Sequence, residues 1–183
     1  MGLDNVNLEE ASGLLRALAF RAARAVISLV PGGRIAAFGE GFGRIEGILV
    51  VNLDRQPRRL RRTLREFRRF RTHAGNPLAS LVRRLSAIDA RNGREVAATA
   101  DVDPHYLLGG QMFVQPDAAL AVCFEPDEPV TMTRQEVAVA RSHIEAWKAI
   151  AVGCEEYVLV VEDDVWLVPG AAKAIDAGWR AAL

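Results

Sequence analysis

The apolar positions of the chain follow two different periods. Over residues 14–30 they recur at helical spacing. At about 100° per residue, Leu14, Leu15, Leu18, Ala22, Val26 and Leu29 share one arc, while Arg16, Arg21 and Arg24 share the other. Phe20 and Ile27 intrude on the arginine side, and Pro31-Gly32-Gly33 ends the helix. An amphipathic helix of this kind can lie on anionic lipid or pack on a neighbouring domain. Residues 32–47 carry six glycines and read as a flexible joint. The Gly39-Glu40-Gly41-Phe42-Gly43 stretch lacks the Gly-Lys-Ser/Thr ending of a phosphate loop. Residues 48–53 then form a short unbroken apolar run, the pattern of a strand buried on both faces. The next helix has Pro57 in its first turn, Leu60, Leu64 and Phe67 on one face, and almost solid arginine on the other. Residues 82–88 fit a second strand and 118–124 a weaker third, while 99–117 and 125–132 read as loops punctuated by proline and glycine. Thr133-Arg134-Gln135-Glu136 has the form of a capping box. Behind it Val137, Ala140, Ile144, Trp147 and Ala151 keep helical spacing up to Gly153. Residues 157–161 make another apolar strand, and a last helix begins at Ala171.

Alternating strands and helices predict an α/β domain with a mainly parallel sheet over 47–183, preceded by a helical extension and linker over 1–46. Composition agrees. Half of the 183 residues are apolar and 25% are charged, which excludes disordered and collagen-like chains. Cys123 and Cys154 are too few and too far apart for a disulfide scaffold or a thiolate zinc site. No run approaches the roughly 18 apolar residues of a membrane span. The acid- and amide-rich opening over 1–10 differs from the positive start of a secretory signal. A cytoplasmic protein is expected, touching membrane at most peripherally through residues 14–30.

Charge changes this picture. The formal net charge is zero, but residues 1–100 hold 18 basic and 9 acidic side chains, and residues 101–183 hold 5 basic and 14 acidic. Nine arginines fall between Arg55 and Arg71. The neutral total argues against a nucleic-acid partner. The split fits an anionic ligand on one side and a cation on the other, or simply solvated faces.

Tyr157-Val158-Leu159-Val160-Val161-Glu162-Asp163-Asp164 is the sharpest chemical signal. A buried parallel strand runs into three carboxylates at the end where open α/β sheets bind ligands. Adjacent acids repel unless a cation sits among them, and Glu162 and Asp164 fall on one side of an extended chain. Hard oxygen donors suit Mg²⁺ or Mn²⁺ shared with substrate phosphates. The strand at 48–53 ends similarly, with Asn52 and Asp54 able to hydrogen-bond a base or ribose and Arg55, Arg58, Arg59 and Arg62 able to clamp phosphate. Ser142 and His143 are neighbours on a helix about 100° apart and make no dyad by adjacency alone.

Four segments in order carry a family pattern. They are Val50-Val51-Asn52-Leu53-Asp54-Arg55-Gln56-Pro57-Arg58-Arg59 with Arg62, then Ala87-Ile88-Asp89-Ala90, then Ser142-His143 with Trp147, and finally Val161-Glu162-Asp163-Asp164. Together they resemble glycosyltransferase family 25, the group of lipopolysaccharide-biosynthesis and collagen galactosyltransferases. Two departures stand out. Ala138-Val139 occupies the place of that family's Gly-Cys, and Ala90 the place of a glycine. The resemblance implies a Rossmann-like GT-A domain and a nucleotide-sugar donor such as a UDP-sugar. Asn52, Asp54, Arg59, Arg62, Asp89, Ser142, His143 and Asp163 would hold that donor. Glu162 and Asp164 would hold Mn²⁺ or Mg²⁺, with Asp164 in direct contact. It further implies a glycan, glycolipid or lipopolysaccharide-type acceptor and transfer of a sugar such as galactose with inversion. No catalytic base is identified. Nineteen residues follow Asp164, fewer than the resemblance leads one to expect, so the domain is expected to be short at its C-terminal end. The alternative is a non-catalytic or truncated binding module on the same fold.

Overall fold

The computed structural model describes residues 4–36, 45–91, 101–107, 127 and 129–182, and the side chains of residues 13 and 15–181 within those ranges. The expected strand at 118–124, the Gly39–Gly43 stretch and most of the loop at 99–117 lie outside the described residues.

Three parallel strands form the centre. They are β2 (Gly47–Asn52), β4 (Val82–Ser86) and β7 (Val158–Glu162), in the order β4-β2-β7. β2 pairs with β4 through Ile48↔Val82 to Asn52↔Ser86, and with β7 through Gly47↔Val158 to Val51↔Glu162. All six residues of β2 are buried, which is why its sequence is apolar without alternation. Ile48 and Val50 face one layer, packing with Phe67 and Leu78 and with Ala171 and Ala172 of the last helix, α4 (Ala171–Ala182). Leu49 and Val51 face the other layer and meet Ala146 of α3 (Arg134–Ala151). Side chains this deeply buried, such as Ile48, Phe67 and Leu78, each contribute about 1.5–3 kcal/mol through removal of apolar surface from water.

The helices begin where local chemistry allows. α2 (Pro57–Arg68) has proline in its first turn, where the missing N–H costs nothing, and buries Thr63, Glu66 and Phe67. α3 is capped by Thr133, whose side chain accepts from the Glu136 N–H while Glu136 reaches back to the Thr133 N–H at 2.6 Å. Its buried residues are Val137, Ala138, Ser142 and Ala146, and Trp147 is 61% exposed. The apolar stripe expected through Trp147 is therefore rotated by about one residue, bringing Ser142 inward.

Three differences concern the ends and loops. The first helix, α1 (Asp4–Ile27), starts ten residues earlier than the apolar period suggests and stops at Ile27. Arg24 in its last turn suits the helix dipole. The stretch at 32–47 is more than a joint. Gly33–Ile35 forms β1, parallel to β3 (Phe70–Thr72), and Ile35 and Ile45 enter the core. Its first glycines are structural. A Cβ at Gly32 would lie 2.6 Å from the fully buried Phe70 ring, and Gly33 has φ +101°. Finally, β5 (His105–Leu107) and β6 (Pro129–Thr131) pair antiparallel where loops are expected.

Candidate functional site

The C-terminal ends of β2 and β7 are tied together by one buried amide. Asn52 Nδ2 donates to Asp163 Oδ2 at 2.6 Å and to the Gln56 carbonyl at 3.1 Å, while its Oδ1 accepts from Arg84 Nε at 2.9 Å. Every hydrogen-bonding position on the amide plane facing these groups is used, and Asn52 is only 2% exposed. Arg59, in the first turn of α2, places Nε 2.9 Å from Asp163 Oδ1 and Nη2 2.8 Å from Asp164 Oδ2. One turn later Thr63 donates to the Asp163 carbonyl at 2.6 Å. Asp163 is thus a buried carboxylate joining β2, α2 and β7, and the repulsion among the three acids is relieved in part by a guanidinium.

Around this knot the other sequence segments gather. A cavity of about 190 Å³ opens at the strand ends; Arg55, Arg59, Ser142, His143, Glu162 and Asp163 supply much of its polar lining. Asp89 stands at its edge, bound to Arg55 Nε at 2.6 Å and to the Arg91 N–H at 3.0 Å. These contacts hold its carboxyl below the usual value, Arg55 contributing most. The Ser142 hydroxyl donates to the Ala138 carbonyl at 2.6 Å and accepts from the Ile88 N–H at 3.0 Å. It therefore serves to seat α3 against the segment leaving β4. His143 Nε2 lies 3.5 Å from Glu162 Oε1, so the adjacent pair splits into a buried serine and a half-buried histidine that both border the cavity.

Not every expected residue arrives. Arg62 lies on the far side of α2, in a groove against α1, away from the cleft. Asp54 turns to Arg84 and to Ser86, whose hydroxyl is 2.8 Å away. Those partners, Arg84 first, lower its carboxyl from the ordinary value. Arg84 itself, which also donates to the Asn52 carbonyl at 3.1 Å, belongs to none of the four motif segments. Its signal is a pair of arginines, Arg83-Arg84, in the middle of a strand that otherwise reads as apolar.

Among the described residues no three His, Cys, Asp or Glu side chains gather as a metal-ligand set. The side chains of Glu162 and Asp164 are 49% and 63% exposed, and they are the carboxylates here open to a further partner. Two exposed hard donors beside a cavity match the way Mg²⁺ is usually held, by one or two carboxylates together with substrate phosphates. Comparison with protein-family models, with curated proteins and with solved structures finds no match to this chain.

Proposed function

We propose that the cleft at the ends of β4, β2 and β7 binds a nucleotide-sugar donor such as UDP-galactose. In this reading the domain is a metal-dependent glycosyltransferase of the GT-A type, acting on a glycan or lipopolysaccharide-type acceptor. One observation carries it. Four segments that resemble family 25 motifs are spread over residues 50–164 of the chain, yet they converge on one cavity at the ligand-binding end of a parallel sheet.

The chemistry follows from the placement. Typical ligand cavities measure about 300–1,000 Å³, so a space of about 190 Å³ takes one end of such a donor. The diphosphate then runs out past Arg55 and Arg59, whose guanidinium groups match phosphate oxygens. Asp89, held by Arg55, faces the ribose side. Glu162 and Asp164 are the residues that would hold Mn²⁺ or Mg²⁺. When bound, that ion supplies positive charge for the departing nucleoside diphosphate. Asn52, Asp163 and Thr63 hold the strand ends in register. Arg62 is dropped from the donor site because its side chain serves another face of the protein.

A second reading, a binding module without transfer chemistry, is favoured by the Arg59 bridge across Asp163 and Asp164, which neutralises the acids without any ion. Calorimetric titration of UDP-galactose with and without Mn²⁺, followed by an assay of UDP release, separates the two. The transferase reading expects Mn²⁺-dependent binding that Asp164→Ala weakens at least tenfold, and UDP release with acceptor present. Metal-dependent binding without release would favour the module. Absence of metal-dependent binding, or binding indifferent to Asp164→Ala, refutes the transferase.

A further inference from the structure

Away from the cleft, the described surface has one strongly basic face. Wound at about 100° per residue, α2 places Arg58, Arg61, Arg62, Arg65 and Arg68 within one arc of about 120°, opposite the buried Thr63, Glu66 and Phe67. All five arginines are exposed, and none of their side chains makes an ion pair or hydrogen bond among the described residues. Their spacing sets like charges side by side at i,i+3 and i,i+4, which works against the helix they sit on. The first turn of α2 has no acid to offset them. An external anionic surface would relieve this repulsion.

The adjoining helix supplies the apolar half. α1 meets the domain through Phe20, edge-on to Trp166 at 5.2 Å, and through Arg24, 5.8 Å from the same ring. That orientation turns its apolar stripe outward. Leu15 is 67% exposed, Val26 64% and Leu29 84%. The arginines of α2 border the polar side of α1 and, just past its end, the last residue of the stripe, Leu29. Arg21 and Arg24 share a groove with Arg62 and Arg65, and Leu29 and Val30 share the next with Arg65, Arg68 and Arg71. An apolar ridge flanked by cations is the composition of a helix lying in a bilayer interface. No described helix is long and apolar enough to cross a membrane.

We infer that the α1–α2 face docks in the plane of an anionic phospholipid bilayer. Leu15, Leu18, Val26 and Leu29 enter the headgroup boundary, and the α2 arginines engage lipid phosphates. Charge complementarity selects this occupant, and the absence of aromatics along the stripe disfavours single-stranded nucleic acid, which needs stacking platforms. The inference is independent of the transferase reading, because its readout needs neither donor nor activity.

Co-sedimentation with vesicles tests it, using phosphatidylcholine alone and phosphatidylcholine mixed with phosphatidylglycerol. The intact chain is expected to bind only the mixed vesicles, and less tightly as salt rises. Neutralising three arginines in R62Q/R65Q/R68Q is expected to weaken binding about a hundredfold, at roughly fivefold for each cation near the surface. The leucine variant L15S/L18S/L29S should remove the part of the binding that survives high salt. Thermal melting followed by circular dichroism guards against misfolding. The glutamine variant should melt no lower than the parent, since it relieves repulsion on α2. Equal binding to both vesicle types, no binding to either, or full binding by R62Q/R65Q/R68Q overturns the inference. So does tight binding of duplex DNA without vesicle binding. A dimer broken by the leucine substitutions, again without vesicle binding, assigns the stripe to a second copy and overturns it too.

Discussion

Asn52 offers the most direct test of how the strand ends are held. Truncation to alanine removes three hydrogen bonds at once. The bond to Asp163 involves a charged group only 6% exposed, and bonds of that kind contribute about 1.5–3 kcal/mol. The bond to the Gln56 carbonyl is neutral, about 1 kcal/mol. The Arg84 bond counts for little, since that side chain is about one third exposed and keeps Asp54 and the Asn52 carbonyl as partners. Asn52→Ala should therefore cost about 2.5–4 kcal/mol, a large part of the roughly 5–15 kcal/mol that holds a domain folded. Asn52→Asp keeps the shape but sets a second carboxylate against Asp163, where the donor and acceptor now sit 2.6 Å apart. Its deficit relative to the parent should shrink as pH falls, because protonating the introduced carboxylate restores a donor. Urea unfolding followed by tryptophan fluorescence at pH 7 and pH 4 reads both effects as shifts in midpoint at constant slope. A loss below about 1 kcal/mol for the alanine variant would refute the account of the network. So would an aspartate deficit that does not change with pH.

Other expectations follow from the same geometry. Arg69 donates to the Val30 carbonyl at 3.0 Å, to Glu66 at 2.8 Å and to the Leu167 carbonyl at 3.1 Å, with both side chains of the ion pair 5% exposed. Arg69→Met strands a buried carboxylate and should cost about 3–5 kcal/mol in urea unfolding, with much of it recovered in the R69M/E66Q double variant. Gly32→Ala pushes a methyl into the Phe70 ring and should cost about 1–3 kcal/mol, seen as a lower melting temperature. Asp54 and Asp89 have carboxyls lowered from 3.8 by Arg84 and Arg55 respectively, so the unfolded chain takes up their protons first. Their stabilisation is present above pH 3.8 and lost as pH falls through the folded values. The parent should lose stability on acidification in that window more steeply than the D54N/D89N variant, and parallel acid-unfolding curves would contradict this.

The parts of the molecule that were legible from residues alone are those whose cause is local. The unbroken apolar run of β2 announces a strand covered on both faces, and Ile48–Val51 are covered on both. Pro57 and the Thr133/Glu136 box mark helix starts through backbone groups within four residues of themselves. The meeting of the residues that follow β2 and β7 at one cleft accords with the rule that parallel sheets present their strand ends together, whereas His143, on α3, is expected there only from the family resemblance. Arg62 lies only about 60° round the helix from Arg59, so spacing alone puts both at the site; the seating of α2 on Thr63, Glu66 and Phe67 decides that Arg59 reaches the cleft while Arg62 faces the groove against α1.

The sequence by itself therefore determined the α/β pattern, the two fully apolar strands, the helix caps and the carboxylates that follow β7. Tertiary structure decided the partners. Asn52 and Asp163 are separated by 111 residues, and the choice of an amide over a ligand as partner depends on a packing no local window contains. β1 and β3 are three-residue strands whose pairing brings Gly32 against the Phe70 ring and holds Gly33 at a positive φ. The same holds for α1. Its apolar stripe is plain in the residues, but whether that stripe faces the core or the solvent is set by where Trp166 receives Phe20 and Arg24. Local propensity acts through bonds a few residues long, whereas pairing and orientation are settled by contacts whose loop-closure cost is met only when the whole domain forms.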